Sequence, residues 1–197
     1  MMLKNYNINN ITIQSYLQEF LSKDIIDNTY SVPKGWNGAN YDKILEYSTD
    51  NKSLTDLLKN IPFTKYSFNK IFGETEAGTY FKNTVGKLLK PDRYYTSAYI
   101  PYGFVGWHCD DDVCGYYMMF SYSELGKGFF KARDPVTGYI HTDIDKAGWS
   151  LKVGKIGNEP EEKVWHCVAS KCNRYTFILV FNEINDYNRA LEIVDKY

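Results

Sequence analysis

Apolar and polar positions change their rhythm near the middle of the chain. Before Pro91, apolar residues recur at helical intervals, and Ile11, Tyr16, Leu17, Phe20 and Leu21 mark one side of a helix over residues 12–22. Similar spacing predicts helices over 41–47, over 53–58 with Ser53 as N-cap, and over 79–89, which Pro91 ends. From Tyr94 onward, short aromatic and β-branched runs take over, at 94–99, 116–122, 128–132, 139–142, 149–155, 164–168 and 175–181. Turn-forming clusters separate them, at Pro101–Gly103, Gly126–Gly128, Asp134–Gly138 and Gly157–Pro160. A closing helix is predicted over 186–196. The pattern gives a single α+β domain over 1–197 with a mainly β core. A helical N-terminal layer covers 1–92, a β core of sandwich or barrel type covers 93–183, and a C-terminal helix covers 184–197.

Composition narrows the class without naming a chemistry. The hydrophobic share of 44% and charged share of 24% are those of a soluble globular protein. The 18 Tyr and 11 Phe suit a pleated, half-buried surface. A net charge of -1 gives no global basic footprint for nucleic acid. No apolar run reaches the roughly 18 residues of a membrane span, and the polar, Asn-rich start lacks a secretory signal. The expected setting is therefore cytoplasmic, with no membrane partner. Cys109, Cys114, Cys167 and Cys172 do not make a disulfide scaffold in a chain this long. Buried core thiols are the favoured reading for them, with a four-thiolate zinc site as the alternative.

Three histidines carry the candidate chemistry, at 108, 141 and 166. His108 and Asp110 stand two apart, the spacing that puts side chains on one face of a strand. His166 lies on a later strand-like run. Two imidazoles and a carboxylate on one side of a metal leave three positions open, which suits non-haem Fe(II). Downstream, Arg174 and Thr176 share a face by the same period of two and open the most apolar strand. An arginine there can hold a carboxylate through paired, charge-assisted hydrogen bonds.

Taken in order, His108-x-Asp110, His166 and Arg174-x-Thr176 resemble the Fe(II)/2-oxoglutarate-dependent dioxygenases. The stretch Tyr99-Ile100-Pro101-Tyr102-Gly103 and Gly106-Trp107 looks like that family's strand before the metal ligands. The resemblance covers residues 94–182. It implies a double-stranded β-helix of jelly-roll type, with Fe(2+) on His108, Asp110 and His166. It also implies 2-oxoglutarate as cosubstrate on Arg174, Thr176 and Tyr99, O2 as oxidant, and ascorbate as a candidate accessory reductant. The implied reaction is C–H hydroxylation with release of succinate and CO2. Asp110 supplies the carboxylate that the superfamily's halogenases lack, which favours hydroxylation.

Two branches of the family compete. Gly106-Trp107-His108-x-Asp110-Asp111 is similar to the AlkB-type nucleic-acid demethylases. The short step from His166 to Arg174 looks more like the prolyl-4-hydroxylase-like branch, and Val180 stands where the AlkB type has a second arginine. A peptide, protein side chain or small molecule is the expected substrate, ahead of nucleic acid. A non-catalytic cupin-like binding module is a further alternative. His141-Thr142-Asp143 is a second His-x-Asp, but too few residues separate it from His166 for four intervening strands of about five residues each. His141 is therefore read as an ordinary strand residue. Asp111 and Asp112 are read as solvated residues at the pocket rim, and Trp107 and Trp165 as core residues pointing away from the metal.

Overall fold

The computed structural model describes residues 4–23, 75–101, 103–110, 114–157, 159 and 162–196. Strand β1 (Lys4–Tyr6) and helix α1 (Ile11–Phe20) come first. Helix α2 (Glu76–Phe81) runs through a π-helical turn, Lys82–Gly86, into the short α3 (Lys87–Leu89). Eight strands follow: β2 (Arg93–Tyr99), β3 (Phe104–His108), β4 (Gly115–Ser123), β5 (Gly128–Arg133), β6 (Ile140–Ile144), β7 (Gly148–Ile156), β8 (Trp165–Ser170) and β9 (Arg174–Phe181). Helix α4 (Ile184–Asp195) comes last. The helices expected over 41–47 and 53–58 lie outside the described residues, as do Asp111 and Asp112.

Local chemistry sets the helix ends. Asn10 caps α1, its Oδ1 accepting from the N–H groups of Thr12 and Ile13 at 3.0 Å each, so the helix starts one residue before the predicted bound. After α3, Lys90 takes a left-handed conformation with φ 55°, and Pro91 prevents continuation. Strand β1 has no apolar alternation to announce it, and Gly106 interrupts the run that forms β3.

The strands form two antiparallel sheets, in the orders β1-β7-β4-β9-β2 and β3-β8-β5-β6. With β1 set aside, each sheet has four strands, and the chain passes back and forth between them. That order is the double-stranded β-helix, or jelly roll. Four strands, β4 to β7, lie between the two that carry His108 and His166.

Alternation along the larger sheet separates two layers. Its outer face presents Met118, Phe120, Leu151, Val153, Phe177, Leu179 and Phe181 to the helices. Those helices answer with Ile13, Leu17 and Phe20 of α1, Phe81 of α2 and Val194 of α4. Phe177 is the hub, stacked on Phe81 at 3.6 Å between ring centroids and met edge-on by Phe20 at 5.0 Å. Burying each such ring contributes about 1.5–3 kcal/mol. The inner face points at the smaller sheet, and there Tyr99, Tyr117, Met119 and Val180 meet Val105, Phe130, Ala132 and Val168. No helix among the described residues is long and apolar enough to cross a membrane.

Candidate metal centre

Register places the two histidines side by side. His108 of β3 and His166 of β8 are direct cross-strand partners, with ring centroids 4.1 Å apart. The pairing depends on an irregularity. Val105 pairs with Val168, and the register shifts before His108 meets His166. Without that bulge, Val105 and His108, three apart, would face opposite sides. The shift turns both inward.

Asp110 stands beyond the end of β3 rather than on it, yet its carboxylate still reaches the pair. Its oxygens lie 3.6 Å from His108 Nε2 and 3.8 Å from His166 Nε2. One ligand atom from each residue falls within 4.8 Å of the others, the separation that a single ion bridges. The ring orientations are fixed from behind. His108 Nδ1 lies 2.8 Å from the Gly106 carbonyl, and His166 Nδ1 lies 3.0 Å from the Val164 carbonyl. A carbonyl oxygen only accepts, so Nδ1 carries the proton in each ring and Nε2 keeps its lone pair for a metal. Burial, reinforced by the neighbouring His166, pushes His108 down to about 4, which keeps its ring neutral at ordinary pH. The donor set and its tautomers therefore fit a divalent transition metal.

At the other end of the barrel interior, Arg174 is fully buried. Its Nη1 donates to Thr176 Oγ1 at 2.5 Å and its Nη2 to Ser121 Oγ at 3.4 Å. Tyr99, also buried, lies under the guanidinium, whose carbon is 5.5 Å from the ring centroid. Arg174, Thr176 and Tyr99 are thus brought together on the inner face. The sequence reading missed their partner Asp145, which accepts from Arg174 Nε at 2.9 Å and is itself buried.

A signal for these polar partners exists in the sequence. Serines interrupt apolar strands at a period of two, at 121 and 123, and align with Arg174 and Thr176. Register joins Ser97, Thr176, Ser121 and Ser150 into one hydroxyl row across the larger sheet. Asp143 and Asp145 likewise stand two apart.

Other residues fall as follows. His141 is outside the metal-binding group, but register puts it on the same row and face: His108, His166, Ala132, His141. It is exposed and meets Tyr139 edge-on at 4.5 Å. Trp107 is buried on the outer side with Phe104, Phe129 and Cys167, and Trp165 packs against that cluster. Cys172 lies 3.4 Å from Ser123 Oγ, on the inner side. Cys167 and Cys172 therefore occupy opposite faces, and all four thiols are free of disulfides.

No protein-family model matches the sequence, and no curated protein matches it at a significant level. Solved structures do align. A Trichoplax adhaerens prolyl hydroxylase in complex with a hypoxia-inducible-factor peptide fragment aligns over 90% of this chain and 92% of its own, with TM-score 0.43 and 13% identity. A Pseudomonas putida prolyl-4-hydroxylase aligns over 87% of this chain and 100% of its own, with TM-score 0.40 and 14% identity. The structure of OsALKBH1 aligns at TM-score 0.34 and 15% identity over 46% of this chain, which spans 49% of that one. The strand order above defines the fold independently of these neighbours.

Proposed function

We propose that this protein is an Fe(II)- and 2-oxoglutarate-dependent dioxygenase that hydroxylates a C–H bond. The substrate class is a peptide or protein side chain, or a small molecule. One observation carries the reading: His108, Asp110 and His166 converge on the barrel interior with both Nε2 atoms turned toward the Asp110 carboxylate, and a buried arginine lies at the interior's far end. These three residues would hold the iron and leave its remaining positions open. When bound, iron and 2-oxoglutarate together supply the oxidising power: O2 is reduced, the 2-oxo acid becomes succinate and CO2, and one oxygen atom enters the substrate.

The chain's own residues bind and orient. Arg174 would direct Nη1 and Nη2 at the distal carboxylate, with the Thr176 hydroxyl beside it and Tyr99 flanking the guanidinium. Asp145 fixes the guanidinium through Nε. Phe130, stacked on His166 at 5.5 Å between ring centroids, places an apolar ring beside that imidazole. Asp110 would supply the carboxylate ligand that the superfamily's halogenases lack, which supports hydroxylation.

A nucleic acid is less favoured, because its affinity rests on many phosphate contacts and here 23 basic residues are offset by 24 acidic ones. The test is succinate release by Fe(II)-loaded protein in air with 2-oxoglutarate, across peptide, small-molecule and nucleic-acid panels. Succinate formation that a peptide or small molecule stimulates and His166→Ala abolishes is the expected result. Protein that binds Fe(II) yet forms no succinate with any panel member would sink the reading.

A further inference from the structure

Arg174 alone does not give the inner face a net positive charge. Asp145 is bound to its Nε at 2.9 Å, with both side chains buried, so the pair is close to neutral. A dicarboxylate reaching Arg174 would meet hydrogen-bond donors without net charge. Burying a carboxylate is costly unless an opposite charge accompanies it. A second buried cation is present. Lys152 of β7 is 4% exposed, and its ion-pair partner is Asp143, at 3.8 Å.

Register fixes where Lys152 sits. Its cross-strand neighbour is Met119, which pairs in turn with Ile178, so Lys152 shares the inner face with Met119. The hydroxyl row of Thr176 and Ser121 separates that row from Arg174. Across the interior, Lys152 Nζ lies 6.0 Å from the Phe130 ring, and Phe130 stacks on the metal ligand His166. Asp143, the partner of Phe130 in β6, faces the same space, whereas Asp145 lies level with Arg174. From the metal inward the order is His166, Phe130, Lys152 with Asp143, and then Arg174 with Asp145.

We propose that Lys152 is a second anchor for the distal carboxylate of a dicarboxylic 2-oxo acid, supplying the net charge that Asp145 removes from Arg174. The proposal rests on the 2-oxo-acid reading above. In it Asp143 is the displaceable counter-ion: it is about two-fifths exposed and only loosely paired. Arg174 donates hydrogen bonds and sets orientation, while Lys152 sets the preference for a charged tail.

Calorimetric titration under anaerobic conditions separates these roles. Fe(II)-loaded wild type, Lys152→Met and Asp143→Asn are each titrated with 2-oxoglutarate and with 2-oxopentanoate, which has the same chain length and no distal carboxylate. Lys152→Met is expected to weaken 2-oxoglutarate by about tenfold or more, the loss of one charge-assisted contact, and to leave 2-oxopentanoate within about twofold. Asp143→Asn, which keeps the lysine, is expected to tighten 2-oxoglutarate alone. An unchanged ratio of the two ligands in both variants overturns the role of Lys152 while the proposed function stands. Wild type that binds neither 2-oxo acid overturns both. Should Lys152→Met fail to fold, as judged by circular dichroism, Lys152→Gln and the Asp143→Asn result decide.

Discussion

A guanidinium as fully buried as that of Arg174 persists only where its charge and its N–H groups are met, and Asp145, Thr176 and Ser121 meet them. Removing one partner of such a pair leaves an uncompensated buried charge and costs about 3–5 kcal/mol. Asp145→Ala is therefore expected to lower the melting temperature of the metal-free protein by on the order of 10 °C, at about 2–4 °C per kcal/mol for a chain of this size. Scanning calorimetry checks it, and a shift of a degree or less would remove the pair's structural importance. The histidines separate by the same logic. His108→Ala and His166→Ala each delete a proposed ligand whose Nδ1 is locked to a carbonyl, and metal affinity measured by Mn(II) titration should fall by orders of magnitude. His141→Ala, on the same row but outside the group, should bind metal like the wild type. At this scale the grouping of His108, Asp110 and His166 was legible because, of the two His-x-Asp pairs, only the first leaves room for four strands before His166. Asp145 and Lys152 were not, because an acidic turn residue and a strand lysine are ordinary until register shows that both face inward.

Strand β5 begins at Gly128, where a Cβ would run into Asp145 Oδ2. Gly128→Ala must therefore push that carboxylate off Arg174, and overpacking of this kind costs about 1–3 kcal/mol. The cost should shrink when Asp145 is already Ala, since the collision is then gone. A double-mutant cycle measured by urea unfolding reports this coupling, and additive effects would refute it. Elements with strong periodicity, such as α1, β4 and β9, could be read from the sequence to within a few residues. The helix over 79–89 was legible too, but not its break into a π turn at Lys82–Gly86, with Gly86 against the Tyr94 ring, where a Cβ would come within 2.6 Å. That break is set by tertiary contact, which local periodicity does not encode. The bulge in β3 was hidden for the same reason, although it is what aims His108.

For the molecule as a whole, a metal held as proposed by β3, β8 and the segment after β3 would tie together parts of the chain that are remote in sequence. A ligand that binds only the folded state stabilises it by about 2.7 kcal/mol at one hundred times its Kd. Saturating Mn(II) should thus raise the melting temperature by on the order of 5–10 °C, and EDTA should reverse the rise. His108→Ala should show no such shift, and an equal rise in that variant would place the metal elsewhere. A sandwich or barrel was legible from many short strands at close spacing, whereas the jelly-roll order was only implied by the resemblance that His108, Asp110, His166 and Arg174 carry. The fifth strand of the larger sheet was not, since the pairing of Lys4–Tyr6 with β7 reflects a docking event rather than a pattern.

That docking has a kinetic consequence. Lys4 pairs with Val153, the Tyr6 hydroxyl donates to Asp195 at 2.8 Å, and the N–H groups of Asn9 and Asn10 donate to the Val194 carbonyl. Each of these contacts closes a loop of most of the chain, whose entropic cost falls before the contact gives anything back. They are therefore expected to form after the folding transition state, so that weakening them acts on the exit from the native basin rather than on entry to it. Tyr6→Phe should leave the refolding limb of a stopped-flow chevron in place and steepen or raise only the unfolding limb. The seam between the chain's first strand and last helix thus sets how long the folded molecule survives.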